Sequence, residues 1–150
     1  MSFEVSVAEL NDLPLIRQLA YDIWPNTFAA ILSPEQIDYM LDMMYSENAV
    51  RHQMNALNHI FLLAVEKGKA VGYISYELNY KGRTKTKIHK IYLLPETQGK
   101  GYGAKLMKRV IKIAQESNQS SLTLNVNKYN KALNFYHKLG FETIGNEYID

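Results

Sequence analysis

The sequence predicts a single α/β domain (α+β in some schemes) in which helices flank a mixed sheet. Three observations lead to this fold class. The 150 residues are 47% hydrophobic, which is enough for one domain with a sizeable core. Three apolar, β-prone segments follow one another closely in the middle of the chain, which is typical of antiparallel strands. A later strand–helix–strand passage over residues 85–126 indicates a parallel or splayed pair.

The N-terminal third predicts one strand and then two or three helices. Apolar and polar residues alternate over residues 3–7, which is the period of a half-buried strand. The first helix is expected to begin near Asp12 and to end at Pro25. Ser33 opens a Ser-Pro-Glu-Gln capping box, which predicts a helix to about residue 45, and Ser46 caps a further helix.

The rest of the chain predicts five strands and two helices. A Lys-Gly pair at residues 67–68 indicates a tight hairpin turn, and Gly140 ends the second helix. The first of these helices follows a glycine-rich turn, and the second covers residues 130–139. The strands are predicted over residues 61–65, 70–78, 85–94, 121–126 and 141–149.

Composition limits the chemistry. The chain has no cysteine, so disulfides, thiolate metal sites and cysteine nucleophiles are excluded. Without a long apolar run or a secretion signal, we expect a cytoplasmic protein. The first 80 residues carry four Lys and Arg against ten Asp and Glu, whereas the remainder carries thirteen against five. This asymmetry indicates separate surfaces for a cation and an anion, or only uneven solvated charge.

A glycine-rich turn at residues 98–104 stands between an apolar run and an amphipathic basic helix. Glycines permit close approach, and the free N–H groups of a helix start bind anions. A dinucleotide fingerprint also fits these letters, but it requires an acidic residue about 20 positions later, where Asn125 stands. Too few residues follow for a doubly wound domain, so we favour a different phosphate ligand.

Two motifs carry a resemblance to a known family. The spacing Gln98-x-x-Gly101-x-Gly103 resembles the acyl-CoA pyrophosphate loop of the GNAT superfamily of N-acetyltransferases. The run from Asn130 through Phe135-Tyr136 to Gly140-Phe141 resembles the C-terminal signature of that superfamily. The segments at residues 24–25 and 32–37 resemble its bacterial spermidine/spermine N-acetyltransferase-like branch.

The resemblance implies a GNAT fold. That fold has a mixed, mostly antiparallel sheet of six to seven strands, splayed between strands 4 and 5. The last strand usual in the family is missing or foreshortened here, because the given sequence stops at Asp150. That leaves open whether a partner chain completes the sheet edge, and a homodimer is one expected assembly.

The resemblance also implies acetyl-CoA as co-substrate and no metal. Pantetheine would lie beside Tyr92, Leu93 and Leu94, where a backbone N–H would polarise the thioester carbonyl. Asn130 would bind pantetheine or orient the catalytic tyrosine. The pyrophosphate would bind to the turn formed by Gln98, Gly99, Lys100, Gly101, Tyr102, Gly103 and Ala104.

Tyr136 occupies the place of the family's general acid, which protonates the departing thiolate. The base that takes the amine proton is less defined by the sequence. Glu77 and His89 are the candidates, since both stand in predicted strands near the expected cleft and histidine titrates in a useful range. Water is the alternative base.

The acceptor surface is predicted in the N-terminal helices. No Lys or Arg occurs from residue 18 to residue 50, while carboxylates alternate with aromatic residues. Trp24, Phe28, Glu35 and Asp38 are therefore predicted to bind a polyamine or other small cationic amine through charge pairing and cation–π contact. An acidic amphipathic helix pair with its aromatic residues in the core explains the same pattern.

The predicted reaction is direct attack of a primary amine on acetyl-CoA in a ternary complex. Acetylation of peptides or protein N-termini and a non-catalytic acyl-CoA sensor are the alternatives. A nucleic-acid-binding module would use Lys81, Arg83, Lys85, Lys87 and the helix from Lys105 to Lys112, but no recognition motif accompanies these charges. We therefore expect neither a nucleic acid nor a membrane as partner.

Overall fold

The computed structural model describes residues 3–125, 132–138 and 140–141. Along these residues one strand precedes three helices, three strands follow, and a helix, a strand and a helix complete the order; short 3₁₀ turns lie at Leu10–Asp12, Tyr80–Gly82 and Pro95–Thr97. The elements are β1 (Phe3–Val7), α1 (Leu13–Phe28), α2 (Pro34–Tyr45), α3 (Glu47–Asn55), β2 (Ile60–Glu66), β3 (Lys69–Glu77), β4 (Lys85–Leu93), α4 (Tyr102–Glu116), β5 (Ser121–Leu124) and α5 (Ala132–Lys138).

The strands form one mixed sheet in the order β1-β2-β3-β4-β5. The first three neighbouring pairs are antiparallel, and β4 pairs with β5 in parallel, so the predicted mixed, mostly antiparallel sheet is confirmed. The predicted strand number is corrected: the described residues form five strands rather than six to seven. The strand predicted over residues 141–149 lies outside the described residues, apart from residue 141.

β4 and β5 pair over only part of their length. The register runs from Lys85 opposite Ser121 to Ile88 opposite Leu124, where β5 ends. β4 continues for five further residues, to Leu93, and over these it remains paired with β3 on its other side. The pairing between strands 4 and 5 therefore ends at Ile88, and the splay between them stays a prediction.

The first helix is longer than predicted. Pro25 lies inside α1 rather than at its end, and the helix continues to Phe28. A proline in a helix removes one hydrogen bond and strains one turn, but here that turn is held by packing. Trp24 and Phe28 are both buried, with ring centroids 4.5 Å apart. Tertiary packing thus outweighs the local signal.

The caps of the next two helices agree with the sequence. Ser33 Oγ accepts a hydrogen bond from the Gln36 amide at 3.2 Å, and the Ser33 amide donates to Gln36 Oε1 at 2.9 Å. This reciprocal pair is the predicted capping box. Ser46 Oγ likewise accepts from the Ala49 amide at 3.1 Å and begins α3.

A glycine in β3 permits close packing of β3 on β4. A Cβ atom at Gly72 would lie 2.5 Å from both the Tyr92 carbonyl oxygen and Leu93 Cδ2, so no other residue fits without moving β4. The buried core continues behind this contact and includes Tyr45 and Tyr73, whose hydroxyl groups are 2.7 Å apart. Among the described helices, none has both the length and the apolar composition that crossing a bilayer requires.

Candidate active site

Beyond Ile88, the side of β4 that faces β5 has no strand partner among the described residues, so its backbone groups can bind a ligand. The Leu94 amide donates to the Val71 carbonyl on β3 at 2.8 Å. Successive residues of a strand direct their N–H groups to opposite sides, so the Leu93 amide faces away from β3. That side is where the pairing with β5 has already ended. Of the three residues predicted to flank pantetheine, Leu93 therefore presents its N–H, while Tyr92 and Leu94 bond toward β3.

The glycine-rich turn follows β4 and opens α4. Gly99 and Gly101 have φ values of 88° and 81°, the left-handed region that favours glycine. Gly101 is the N-cap residue, and no side chain caps the helix. The first amide to bond back to this turn is that of Lys105, to the Gly101 carbonyl at 3.2 Å. The amides before it form the unfilled donor set of a helix N-terminus, which suits an anion.

The other residues of the turn have distinct surroundings. Gln98 is exposed, and its Nε2 lies 3.5 Å from the Leu93 carbonyl oxygen. Ala104 is half-buried, whereas Gly103 and Tyr102 are buried. A Cβ atom at Gly103 would lie 3.2 Å from Phe135 Cζ, so this glycine lets α5 approach the start of α4.

The Lys100 side chain forms an ion pair instead of extending freely over the glycine-rich turn. Its Nζ lies 3.0 Å from Glu66 Oε2, at the end of β2. The same carboxylate oxygen accepts a hydrogen bond from the Tyr102 hydroxyl. These contacts hold the pKa of Glu66 below its usual value, chiefly through the Tyr102 hydroxyl and then through Lys100. No sequence motif identified Glu66 as a candidate site residue.

Tyr136 is buried on α5, with 8% of the residue exposed. Its ring packs edge-on against Phe135 at 5.3 Å and Phe141 at 6.1 Å. Burial raises the pKa of Tyr136 to about 12, so the phenol keeps its proton at neutral pH. The Tyr136 phenol also contributes, after burial, to the raised pKa of Tyr92 on β4. Asn130 lies outside the described residues.

Glu77 and His89 meet, and a third side chain joins them. His89 Nε2 is 3.0 Å from Glu77 Oε1, and His59 Nε2 is 3.7 Å from the same oxygen. The two imidazole rings stack with centroids 3.8 Å apart and planes 14° from parallel. His59 precedes β2 and was missed, because only the pairing of β2, β3 and β4 brings three such distant positions together. We call His59, Glu77 and His89 the imidazole–carboxylate cluster.

Both imidazoles are neutral over the physiological range. Burial is the largest cause that lowers the pKa of His59 and of His89, each to about 4. The positive charge of Lys90 is a further cause for both residues. Lys90 is itself only 4% exposed and donates to Gln53 Oε1 at 2.8 Å. Burial lowers the pKa of the Lys90 ammonium to about 8.

The imidazole–carboxylate cluster has the donor atoms of a transition-metal site. One ligand atom from each of the three side chains lies within 4.8 Å of the others. A histidine nitrogen binds a metal along its lone pair, in the plane of the ring. Because the two rings are stacked nearly parallel, one ion cannot lie in both planes unless a ring rotates. As arranged, the cluster is better suited to moving a proton than to holding a metal.

The predicted acceptor residues divide into two groups. Trp24 and Phe28 are buried, 2% and 8% exposed, and their rings lie 5.6 and 6.0 Å from the Tyr92 ring. Glu35 and Asp38 are exposed on the first turns of α2. Among the described residues, no hydrogen bond or ion pair joins these carboxylates to the aromatic pair. The structure thus brings Trp24 and Phe28 to β4 but leaves Glu35 and Asp38 at the surface.

A cavity of about 500 Å³ lies between α1 and the end of β4. Asp22 and Glu96 contribute its carboxylates, Lys69 contributes one positive charge, and Leu19, Leu94 and Pro95 contribute apolar walls. Its β4 side begins at Leu94, the last of the three residues predicted to flank pantetheine. Sequence reasoning did not connect Asp22 with Glu96, because the two belong to elements that are far apart in the chain.

Comparisons with known proteins agree with this geometry. The model of the acetyltransferase (GNAT) domain family matches residues 28–150. A spermidine N(1)-acetyltransferase of Thermoplasma acidophilum is 29% identical over 158 aligned residues, which cover 99% of this chain and 96% of that protein. An L-amino acid N-acyltransferase of Escherichia coli, MnaT, is 32% identical over 83 residues, covering 53% of this chain and 48% of that protein.

A solved structure extends the likeness to three dimensions. The crystal structure of the PaiA N-acetyltransferase from Thermoplasma acidophilum in complex with coenzyme A superposes with a TM-score of 0.88 at 26% identity. The match covers 98% of this chain and 94% of that one. With the family match spanning most of the chain, the dinucleotide interpretation of the glycine-rich turn is excluded. The chain belongs to the GNAT superfamily and is an acetyl-CoA-dependent N-acetyltransferase.

Proposed function

We propose that this enzyme transfers the acetyl group of acetyl-CoA to a primary amine of a polyamine or another small cationic amine. The observation that carries the proposal is a set of carboxylates without internal counter-ions. Of the acidic side chains between residues 18 and 50, only Glu47 forms an ion pair within the described part of the chain, with Arg51 at 3.5 Å. The others are Asp22, Glu35, Asp38 and Asp42.

Carboxylates without a counter-ion favour a cationic ligand over a neutral or anionic one, and Asp22 accepts only a neutral hydrogen bond, from Gln18 Nε2 at 2.9 Å. A polyamine alternates ammonium groups with methylene segments, so it requires acidic groups beside apolar walls. The cavity between α1 and the end of β4 offers this combination: two carboxylates, Asp22 and Glu96, outnumber its one lysine, Lys69, and lie beside leucine and proline side chains. The name of the near full-length relative from Thermoplasma acidophilum, a spermidine N(1)-acetyltransferase, supports the same substrate class.

The glycine-rich turn and the edge of β4 would hold acetyl-CoA. The amides that open α4 would bind the pyrophosphate, and pantetheine would run along the unpaired edge of β4. The Leu93 N–H would then face the thioester carbonyl and stabilise the negative charge that develops on its oxygen. Attack by the amine in a ternary complex requires no acyl-enzyme.

Tyr136 would supply the proton that the departing thiolate takes up. A general acid must carry its proton at the working pH, and burial, which raises the pKa of Tyr136 to about 12, satisfies this condition. A Cβ atom at Gly103 would lie 3.2 Å from Phe135 Cζ and 3.6 Å from Leu93 Cδ1, which supports a position of α5 near the end of β4. With this acid, the thiol leaves as a neutral group.

The imidazole–carboxylate cluster would accept the proton of the attacking amine only through water, because the cluster lies at the Glu77 end of β3 whereas Lys69 and Ala70 of the cavity lie at its opposite end. His89 is neutral above about pH 4 and therefore has a free lone pair at physiological pH. Glu77 lies 3.0 Å from His89 Nε2 and would stabilise the imidazolium that forms. Trp24 and Phe28 would act as the buried wall behind Tyr92, while Glu35 and Asp38 would attract the cation at the surface.

The direct test is release of the CoA thiol from acetyl-CoA in the presence of a panel of amines. We expect turnover with spermidine and spermine that exceeds turnover with free amino acids, peptides and aminoglycosides. A good peptide or amino-acid substrate beside inactive polyamines would remove the polyamine assignment and leave the acetyltransferase assignment intact. Tight binding of CoA without turnover of any amine would instead indicate a sensor.

Pairing Asp22→Asn with Asp12→Asn sharpens this test, because Asp12 is a carboxylate outside the cavity. Asp22→Asn should raise the KM for the polyamine several-fold, since one charge-assisted contact is lost. The KM for acetyl-CoA should stay constant, and Asp12→Asn should change neither constant. Equal effects of the two substitutions would argue against the cavity as the acceptor site.

A further inference from the structure

Glu66 connects the sheet to the glycine-rich turn. It is the last residue of β2 and lies directly opposite Phe3 of β1 in the antiparallel register. Its carboxylate oxygen Oε2 accepts hydrogen bonds from Lys100 Nζ at 3.0 Å and from the Tyr102 hydroxyl. Both donors flank Gly101, the N-cap residue of α4. One carboxylate therefore bonds to residues on both sides of the helix start.

The Tyr102 ring is held by the same pair of strands. It is 8% exposed and stacks on Phe3, with centroids 4.2 Å apart and planes 21° from parallel. Phe3 therefore fixes the ring while Glu66, its neighbour across the two strands, fixes the hydroxyl. Tyr102 is the first residue of α4, so these contacts set the direction in which the free amides of the helix point.

The charges of the contact are balanced. A lone carboxylate beside the turn would repel a pyrophosphate, whereas Lys100 neutralises Glu66. Only 17% of the Glu66 side chain is exposed, against 48% for Lys100, so the carboxylate lies beneath the lysine. This arrangement permits an acidic residue to support an anion site without facing the anion.

We propose that Glu66 is a positioning residue for acetyl-CoA: through the Tyr102 hydroxyl it orients the amides that bind the pyrophosphate. The inference rests on the assignment of the glycine-rich turn to the pyrophosphate, and it is independent of which amine is acetylated. Glu66 does not touch the ligand, so its removal affects binding of acetyl-CoA and leaves the chemical step unchanged.

The test is a double-mutant cycle with Glu66→Gln and Tyr102→Phe. Each substitution should weaken CoA binding about tenfold in calorimetry, the size expected for one hydrogen bond to a charged group. The double variant should bind CoA no more weakly than whichever single variant binds it less tightly, because both substitutions break the same contact. In steady state, the KM for acetyl-CoA should rise while kcat stays within about twofold of wild type.

The control is Glu4→Gln, an exposed carboxylate on the neighbouring strand, which should leave CoA binding unchanged. Melting temperatures check that each variant is folded. If Glu66→Gln is not folded, Tyr102→Phe alone tests the contact. Unchanged or tighter CoA binding by Glu66→Gln would overturn the proposal, since Glu66 would then only compete with the pyrophosphate for Lys100. Additive effects in the cycle would overturn the role of Tyr102.

Gly101→Glu separates this inference from the assignment on which it rests. If Gly101→Glu abolishes CoA binding and Glu66→Gln does not weaken it, the turn binds the pyrophosphate and Glu66 has no part in it. If Gly101→Glu binds CoA normally, the assignment of the turn itself is wrong.

Discussion

The glycine-rich turn and the imidazole–carboxylate cluster are built from opposite kinds of group: the turn from backbone amides, and the cluster from side chains. In the proposed function the turn binds with backbone amides of consecutive residues, and it is exposed at Gln98, Gly99, Lys100 and Gly101. The cluster uses three buried or half-buried side chains from positions far apart in the chain, brought together by sheet pairing. Backbone recognition therefore leaves a contiguous pattern in a sequence, whereas a side-chain cluster leaves none.

The two regions also respond differently to their surroundings. The anion-binding capacity of the turn comes from helix geometry, which does not titrate. The cluster derives its properties from burial and from neighbouring charge, which together lower the pKa of both imidazoles to about 4. Substitutions in the turn should therefore change affinity at every pH, and substitutions around the cluster should change the dependence on pH.

The largest expected effect is that of Gly101→Glu, which should weaken CoA binding by about 100-fold or more. The new residue is forced into a φ of +81°, and its carboxylate repels the pyrophosphate. Calorimetric titration with CoA measures the change. Gly82→Glu is the matched control, because Gly82 has a φ of +73° with equally open space and lies away from the turn. Equal losses of CoA affinity in the two variants would show that backbone strain alone causes the effect.

Tyr136→Phe should come next, with a fall in kcat of about 100-fold, the lower range for loss of a general acid. The dissociation constant of CoA should stay nearly unchanged, since the ring keeps its packing. Tyr76→Phe is the control: Tyr76 is also buried, and burial also raises its pKa. A Tyr136→Phe enzyme with normal turnover at every pH would contradict the role of the phenol.

The smallest effect concerns the cluster and is read from the pH profile. Wild-type kcat/KM should not fall through the ordinary histidine range near 6.5, because His89 protonates only near pH 4. Lys90→Met removes a positive charge that lowers this pKa, so the acidic limb should move to higher pH. Lys85→Met, on the same strand, should leave the limb in place.

Unfolding measured over the same pH range checks the cause. The pKa of each cluster histidine is lower in the folded chain than the ordinary 6.5. The contribution of each neutral histidine to folding stability is therefore complete above pH 6.5 and is lost as the pH falls toward 4. The free energy of unfolding should therefore decrease between pH 6.5 and 4. His59→Gln should make this decrease smaller, and an unchanged slope would show that His59 is not buried as a neutral group.

Local signals in the sequence predicted most of the fold. Ser33 and Ser46 cap helices because their hydroxyls reach backbone amides three residues away. The hairpin at residues 67–68 forms because Lys67 and Gly68 both adopt positive φ values. Gly140, with a φ of +100°, follows α5 as expected of a helix-ending glycine. In each case the interaction spans a few residues, so a short pattern contains it.

The predictions that failed depended on distant contacts. Pro25 does not end α1, because Trp24 and Phe28 pack on both sides of it against Tyr92. The same packing buries Trp24 and Phe28, whose part in binding a cation stays a prediction. His59, Lys90 and Glu66 were not predicted as parts of the site, since their partners stand 18 to 37 positions away in the chain.

The sequence by itself determined the class of chemistry: a glycine-rich helix start for a pyrophosphate, a tyrosine in a C-terminal signature and an acidic segment free of cations. Each of these is carried by residues that are neighbours in the chain. Only the tertiary structure decided how the site is supported. The pairing of β2, β3 and β4 assembles the cluster, and the end of β2 places Glu66 under Tyr102. Burial, which sets the pKa values of His59, His89 and Tyr136, exists only once the sheet and helices have packed together.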